Sequence, residues 1–302
     1  MQIQKVCSCE IVFSFQFTVF TSLIIINYTM LNKYPIVARK ISYKVGFKTI
    51  IENISLVLKK TEFIGLIGGS GSGKTTLMTC LNGYRQASKG KITLNGIPST
   101  EKEKIQHLIG YVPQEDIVHK ALTIERAFYY SYLLRIKEEK DDKIINEKID
   151  EVLNLLDLKE HKNTKIASLS GGQRKRVNIG MELLHSPELF FLDEPTAGLD
   201  PSLERQLMRL LSDLANDNRL IMVTTHLMQN VDLFDIIIFI HKGYMIYFGP
   251  RDFIKDYFQV SDMIELFDKV MPHPPLPLMQ KYLQSNLYNE FLLKRLNKCN
   301  HV

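Results

Sequence analysis

The stretch FIGLIGGSGSGKTTLMTCL, residues 63–81, decides the fold of this chain. Its first five residues are mostly apolar and predict a short buried strand, and residues 75–81 predict a helix. The segment between them fits the pattern G-x-x-x-x-G-K-[ST], whose glycines let backbone N–H groups approach phosphate oxygens closely. The N-terminus of the following helix also favours an anion. This order of strand, loop and helix predicts a site for a nucleoside triphosphate.

The side chains of this phosphate loop have separate expected roles. Lys74 should reach the β- and γ-phosphates, and the Thr75 hydroxyl should bind Mg²⁺. A flexible Gly/Ser linker is the alternative interpretation, but a linker does not require a strand, a Lys-Thr pair and a helix in this order. The loop residues predicted to contact the nucleotide are Gly68, Gly69, Ser70, Gly71, Ser72, Gly73, Lys74, Thr75 and Thr76.

Polar residues at the ends of other predicted strands are expected to complete the site. An apolar run ends in Asp193 and Glu194, which is typical of a parallel strand buried on both faces. We expect Asp193 to lie near Mg²⁺ and Glu194 to polarise the attacking water as a general base. His226 is expected to hold that water in line, and Gln114 to contact both Mg²⁺ and the water. Each residue alone also has a purely structural interpretation.

The order and spacing of the motifs resemble the nucleotide-binding subunit of ABC transporters over roughly residues 34–260. The matching features are Walker A (68–75), the Q-loop glutamine (Gln114), the signature LSGGQ (169–173), Walker B with its glutamate (189–194), the D-loop (197–200) and the switch histidine (His226).

The resemblance implies how the ATP site is completed. In this family the signature of one copy grips the γ-phosphate held by Walker A of another, so two ATP molecules are sandwiched in a head-to-tail dimer. Hydrolysis is then gated by closure of the dimer. The further nucleotide-binding residues implied in this way are Ser170, Gly171, Gly172 and Gln173 of the signature and Asp200 of the D-loop.

A finer resemblance concerns residues 170–184, which look like the SGG-x-RKR-x-x-IG-x-EL pattern of the G subfamily (White-type) and its bacterial relatives. In those proteins the ATPase is usually fused upstream of a six-helix export permease, and none follows here. The resemblance implies an ATP-binding subunit that uses ATP and Mg²⁺ to drive a permease in export. The implied partners are a second nucleotide-binding domain, in a homodimer or heterodimer, and a transmembrane permease. The implied location is the cytoplasmic face of the cell membrane.

Two positions depart from the family pattern. Gly69 stands where many members have Pro or Ser, which should loosen the loop slightly. The aromatic residue that commonly stacks on adenine falls at Val45, with Tyr43 or Phe47 as substitutes. The contact with adenine is therefore left open.

The predicted fold is α/β, a P-loop NTPase (RecA-like) parallel sheet with an antiparallel β subdomain and a helical signature subdomain. The ATPase domain is predicted at 34–256, with the helical subdomain at about 115–180 and an amphipathic helix at 143–158. A helical extension with a proline-rich break at 272–277 is predicted for 257–302. Residues 1–33 are an unassigned apolar segment: residues 11–32 carry no charge and could cross a bilayer, yet they alternate as a strand does.

Composition narrows the classes of partner. The chain has 302 residues, 45% of them hydrophobic, which suits one large α/β domain with appendages. Its net charge of +5 comes from lysines scattered among acids, which predicts no nucleic-acid partner. The run Arg174-Lys175-Arg176 is interpreted as a charged face of the signature helix. The four cysteines show no metal spacing, as expected in a reduced cytosol.

Two other functions compete with that of an exporter subunit. A soluble ABC ATPase acting on a macromolecular complex is the main alternative. Ribosome-acting members usually carry two cassettes, and chromosome-organising members insert long coiled coils between Lys74 and Ser170, for which the spacing here is too short. A non-enzymatic regulator with a degenerate site is the other alternative, but no catalytic position of the motifs is degenerate.

Overall fold

The computed structural model of the chain describes residues 33–136, 141–226 and 230–299. The apolar segment 11–32, whose interpretation the sequence left open, lies outside these residues. In the described ranges no helix combines the length and the apolar character that crossing a bilayer requires. The strands in these ranges are β1 (Ile36–Val45), β2 (Lys48–Leu58), β3 (Phe63–Ile67), β4 (Lys89–Leu94), β5 (Ile97–Pro98), β6 (Ile109–Val112), β7 (Leu189–Asp193), β8 (Leu220–Thr225), β9 (Ile236–His241) and β10 (Tyr244–Pro250).

Helices cover the strands and form a separate group near the middle of the chain. The α-helices of the described ranges are α1 (Lys74–Leu81), α2 (Lys102–Ile105), α3 (Ile124–Arg135), α4 (Asp142–Leu155), α5 (Gly171–Leu183), α6 (Pro201–Asn216), α7 (Ile254–Phe258), α8 (Met263–Val270), α9 (Pro275–Leu283) and α10 (Lys294–Lys298). Short 3₁₀ turns lie at Gln106–Leu108, Lys159–His161, Ile166–Ser168, Val231–Leu233 and Arg251–Phe253, and a π-helical turn at Tyr288–Leu293.

The main sheet has six strands in the order β10-β9-β3-β8-β7-β6. All neighbours pair in parallel except β10, which is antiparallel to β9. Every residue of β3, β7 and β8 is buried, as in parallel sheets whose two faces are both covered. The carboxyl ends of these parallel strands therefore meet at one edge, and this edge carries the polar residues that the sequence singled out.

Strand β7 shows how the sheet divides two cores. Phe190 packs in a core with residues of α5 and α6, such as Val177. Its neighbour Phe191 points to the opposite face, where it packs in a core with Leu77 of α1 and Ile36 of β1. The alternation follows from the two-residue period of a strand, so one short apolar run supports both layers.

A second, antiparallel sheet has the order β2-β1-β4-β5. Its strands pair β1 with β2 and with β4, and a two-residue turn at Asn95-Gly96 joins β4 to β5. Both turn residues have positive φ, 47° and 78°, the geometry that this dipeptide favours in a tight hairpin. The parallel sheet, the antiparallel sheet and the helices together confirm the predicted α/β fold class.

The helical segment between the sheet strands contains α3, α4 and α5. Helix α4 buries Ile145, Ile149 and Val152, spaced as one face of a helix. It ends at Leu155, short of the predicted end at residue 158, and Asp157 then adopts a positive φ of 55°. The amphipathic pattern thus located the helix but not its last turn.

The C-terminal helices pack on the ATPase core. The Tyr282 hydroxyl of α9 is buried and donates to the Phe248 carbonyl of β10 at 2.9 Å. Arg295 of α10 forms a bidentate ion pair with Glu62, with contacts of 2.7 and 3.0 Å. The prediction of a proline break over 272–277 is partly wrong, because α9 begins at Pro275. Proline is tolerated in the first turn of a helix, where its missing N–H would have no intrahelical acceptor.

Candidate nucleotide site

The phosphate loop joins β3 to α1, and its glycines are required by the chain itself. A Cβ on Gly68 would lie 2.3 Å from the Ile240 carbonyl oxygen. Gly73 has a φ of +105°, and a Cβ there would lie 2.8 Å from Ile51 Cγ2. Atoms of β2 and β9 therefore leave no room for a side chain at these two positions of the loop.

A cleft of about 610 Å³ opens over this loop. It brings together loop residues with three residues from the carboxyl edge of the sheet, although these are far apart in sequence. Its volume lies in the range typical of small-molecule sites. The lining residues are Ile50, Ser70, Gly71, Ser72, Gly73, Lys74, Thr75, Thr76, Gln114, Glu194 and His226. Of these, Ile50 was not predicted from the sequence.

The loop side chains suit a polyanion. Lys74 is buried, and its Nζ donates to the carbonyl oxygens of Gly68 and Gly69 at 2.9 and 3.1 Å. Burial lowers the pKa of Lys74, and the nearby carboxylates of Glu194 and Asp193 oppose that shift. The buried Ser72 Oγ has no hydrogen-bond partner within the described ranges. A cation beside an unsatisfied hydroxyl, under a glycine cradle, fits a triphosphate.

Glu194 lies at the centre of the sheet edge. Its Oε1 is 3.3 Å from His226 Nδ1, and its Oε2 accepts from Gln114 Nε2 at 3.2 Å. Its backbone N–H donates to Thr224 Oγ1 at 2.9 Å, and its φ is +47°. A left-handed conformation is costly for a side chain of this kind, about 1–3 kcal/mol. The three contacts hold the carboxylate over the cleft in spite of that cost.

Asp193 is buried beside the cleft and does not form its wall. Its Oδ1 accepts from the Thr224 hydroxyl, so Thr224 connects the two acidic residues. Thr75 and Gln114, the other predicted Mg²⁺ ligands, line the cleft itself. No group of three or more His, Cys, Asp or Glu side chains with metal-site geometry occurs in the described ranges. This oxygen-bearing set still fits Mg²⁺, which takes few protein ligands when substrate phosphates supply the others.

The signature residues lie elsewhere. Ser170 caps α5 by accepting from Gln173 N at 3.2 Å, and the Gln173 Oε1 accepts from Ser170 N at 3.0 Å, a capping box. The Gln173 side chain also contacts His161. Ser170 and Gly171 are exposed, whereas Gly172 is buried. Within the described part of the chain, none of the four lines the cleft over the phosphate loop.

The predicted D-loop residue Asp200 is likewise outside this cleft. Its Oδ1 accepts from the backbone N–H groups of Ser202 and Leu203 at 3.0 and 3.1 Å, so it caps helix α6. The structure therefore gathers residues 70–75 of Walker A with Gln114, Glu194 and His226, whereas the signature residues and Asp200 lie outside this cleft.

The interpretation of Arg174-Lys175-Arg176 as a charged face of the signature helix is wrong for Lys175, whereas Arg174 and Arg176 are partly exposed. Lys175 is buried, and its Nζ donates to the Gln114 carbonyl oxygen at 2.7 Å. Arg174 and Arg176 donate to the carbonyl oxygens of Leu169 and Leu156. One signal was available in the sequence. Lys175 lies at helical spacing between the buried residues Gly172 and Ile179.

Val45, Tyr43 and Phe47 are the residues that the sequence named for the contact with adenine. Val45 and Phe47 are exposed at the β1–β2 hairpin, and the Arg85 guanidinium lies 5.8 Å from the centre of the Tyr43 ring. None of these three lines the cleft in the ranges that the structure describes. At Gly69 the structure shows a contact that the sequence did not predict. A Cβ there would lie 3.1 Å from Met271 Sδ, which is a tight contact.

The fold and the cleft define a P-loop nucleotide-binding protein that carries a separate signature surface. Comparison with known proteins identifies the family within this class. The sequence pattern of the family described as ABC transporter matches residues 51–197. The linearmycin resistance ATP-binding protein LnrL of Bacillus subtilis is 35% identical over 217 residues, which cover 71% of this chain and 68% of that protein. The chain belongs to the ABC transporter ATP-binding family, binds ATP and is an ABC-type ATPase.

Other similar proteins are longer. The ABC transporter ATP-binding/permease protein Rv1747 of Mycobacterium tuberculosis is 36% identical over 76% of this chain but only 27% of its own length. ABC transporter G family member 14 of Arabidopsis thaliana is 34% identical over 72% of this chain and 34% of its own. The chain therefore spans about a third or less of these relatives. Among solved structures, cbiO1 from Clostridium perfringens, described as part of the ABC transporter complex cbiONQ, has a TM-score of 0.69 at 25% identity, covering 80% of this chain and 96% of that one.

Proposed function

We propose that this chain hydrolyses ATP in a head-to-tail dimer and that closure of the dimer drives a membrane permease in export. The observation that carries the proposal is the separation of two half-sites. The phosphate-loop cleft contains Lys74 and Glu194, whereas the signature residues Ser170 and Gly171 are exposed and do not line it. A second chain, either another copy or a related subunit, would bring its signature to this cleft.

The polar residues in and beside the cleft have separate roles in this proposal. Lys74 binds the β- and γ-phosphates, and the loop N–H groups hold the remaining oxygens. Glu194 accepts the proton of the attacking water, while its contacts with His226 and Gln114 orient its carboxylate. Thr75, Gln114 and Asp193 would hold Mg²⁺, which when bound neutralises charge on the phosphates.

The signature is suited to the γ-phosphate of the other chain. Helix α5 begins at Gly171, so its first N–H groups point out of the helix at an exposed end. A Cβ on Gly171 would meet no atom of the described residues within 4 Å. The chain's own packing therefore does not require glycine there, and the close approach of a phosphate would.

The proposed permease contact lies beside the Q-loop. Gln114 connects the cleft to the segment 114–127, where a permease helix would pack. Ile117 of this segment is 60% exposed, and Tyr130 and Leu134, further along α3, are 48% and 77% exposed. Rv1747, named an ATP-binding/permease protein, supports a permease as the partner. A permease partner and the need for ATP both support the cytoplasmic face of the cell membrane as the proposed location.

The test uses Glu194→Gln, which removes the proton acceptor but preserves the shape of the side chain. We expect turnover to be lost and an ATP-bound dimer to accumulate, as measured by light scattering coupled to size exclusion. Glu188→Gln, a change at the partly exposed residue just before β7, is the matched control and should behave as the unmodified chain does. A Glu194→Gln protein that binds ATP and yet stays monomeric at saturating ATP would contradict the proposal.

A further inference from the structure

Lys175 is a buried cation that none of the proposed steps uses. Only 5% of the residue is exposed, and its Nζ donates to the Gln114 carbonyl oxygen at 2.7 Å. A buried ammonium group is costly unless it is hydrogen-bonded. Its position on α5, five residues after Ser170, means that the signature helix contacts the Q-loop of its own chain.

A second residue of α5 holds the same loop. The Asn178 Nδ2 donates to Asp116 Oδ1 at 2.8 Å, and the Asn178 Oδ1 accepts from the Ile117 N–H at 3.2 Å. Lys175 and Asn178 therefore fix the backbone on both sides of Glu115. Gln114 in turn donates from its side chain to the Glu194 carboxylate. A continuous series of hydrogen bonds thus runs from the signature helix to the proposed general base.

The electrostatics agree with this arrangement. Burial lowers the pKa of Lys175, and the carboxylates of Asp116, Asp193 and Glu194 oppose the shift. Lys74 has the same pattern, with Glu194 and Asp193 opposing the effect of burial on its pKa. Two buried ammonium groups, one from the phosphate loop and one from the signature helix, therefore interact with the same pair of carboxylates.

We propose that Lys175 is a positioning residue for ATP hydrolysis in its own chain, because it holds the Gln114 backbone and so keeps the Gln114 amide on the Glu194 carboxylate. The inference rests on the proposed function of the cleft. It gives α5 two tasks: its N-terminus acts on the nucleotide of the other chain, and Lys175 acts on the cleft of its own. A shift of α5 on dimer closure would then move Gln114 directly.

The first experiment compares Lys175→Met, Lys175→Arg and the control Arg176→Met in the full chain. Met keeps most of the aliphatic stem but cannot donate, whereas Arg can. Arg176 is the next residue of the same helix, and its contacts with Leu156 and Asp157 lie away from the Q-loop. We expect Lys175→Met to lower kcat roughly tenfold with KM changed less than about twofold. Lys175→Arg should recover most of kcat, and Arg176→Met should leave it unchanged.

The second experiment tests whether Lys175 acts through Gln114. In a Gln114→Ala background, Lys175→Met should cause no further loss of kcat, because the side chain that it positions is gone. Equal losses in both backgrounds would overturn the proposal, as would an unchanged kcat in Lys175→Met alone. A general loss of folding would lower the unfolding midpoint and affect both backgrounds alike.

Hydrogen exchange without nucleotide separates this inference from the proposed function. Lys175→Met should speed exchange of the Ile117 amide, which donates to Asn178 Oδ1, about tenfold, and Arg176→Met should not. Unchanged exchange at this amide would overturn the positioning role. If the unmodified chain fails to hydrolyse ATP but Lys175→Met still speeds exchange as expected, the proposed function is refuted. The contact between Lys175 and the Q-loop is then established all the same.

Discussion

The glycines of the phosphate loop and the glycine at the start of the signature helix are constrained in different ways. At Gly73 the chain itself excludes a side chain, since φ is +105° and Ile51 lies 2.8 Å from the position of a Cβ. At Gly171 the backbone is ordinary, and a Cβ would contact none of the described residues. The first glycine is therefore explained within one chain. No contact of the described residues requires the second, which agrees with the proposed approach of a phosphate from another chain.

The largest effect that follows from this comparison is on turnover. Gly171→Asp should abolish hydrolysis, by roughly 1,000-fold or more, because a carboxylate would face the γ-phosphate where N–H groups should stabilise it. Folding should be preserved, since an acidic residue is favourable in the first turn of a helix. Steady-state phosphate release and thermal unfolding measure the two expectations.

Thr100→Asp controls for the added charge, because Thr100 is exposed and lies outside both the cleft and the signature. It should retain full turnover. A Gly171→Asp protein that hydrolyses ATP at the unmodified rate would mean that the exposed end of α5 has no part in the reaction.

A smaller effect distinguishes the two glycines by stability. Gly73→Ala should lower the free energy of unfolding by about 2–4 kcal/mol, because alanine is strained at this φ and its methyl group meets Ile51. Gly171→Ala should change it by less than about 0.5 kcal/mol, since Ala is a good helix former and the space is open. Urea unfolding without nucleotide measures both. Equal losses for the two variants would remove the contrast between the half-sites.

The smallest effect concerns Asp200, which the sequence assigned to the nucleotide and the structure shows as a helix cap. Asp200→Ala should cost about 1 kcal/mol of unfolding free energy, and Asp200→Asn less than about 0.5, because Asn also caps helices well. If Asp200→Asn nevertheless slows turnover, its charge acts across the dimer. If both variants lose stability equally, capping is not its structural role.

The phosphate loop could be predicted from the sequence because its determinants are local. The loop lies between a strand and a helix that follow one another directly in the sequence. Its glycines and Lys74 occur at the fixed spacing of the phosphate-loop pattern. The convergence of Glu194 and His226 could be anticipated from topology, since parallel strands bring their carboxyl ends to one edge of a sheet. Their roles in hydrolysis remain predictions, and Glu194→Gln tests the role of Glu194.

What the sequence could not show depends on contacts between distant segments. Lys175 stands in a basic run that suggests a surface, and only the packed structure places the Gln114 carbonyl against it. The positive φ of Glu194 depends on Thr224, which belongs to the next strand of the sheet. Met271 beside Gly69 comes from the segment that follows α8. In each case a tertiary partner overrides the local preference.

The central claim is that one chain carries two incomplete halves of the ATP site, and mixing two defective variants tests it directly. Lys74→Ala removes a phosphate contact from one half, and Gly171→Asp disables the other, so each variant alone should be inactive. Random pairing of the two creates mixed dimers in which one site is complete, so the mixture should recover roughly a quarter of the unmodified ATPase rate. A mixture that stays as inactive as its components would contradict the account for a dimer of two copies of this chain.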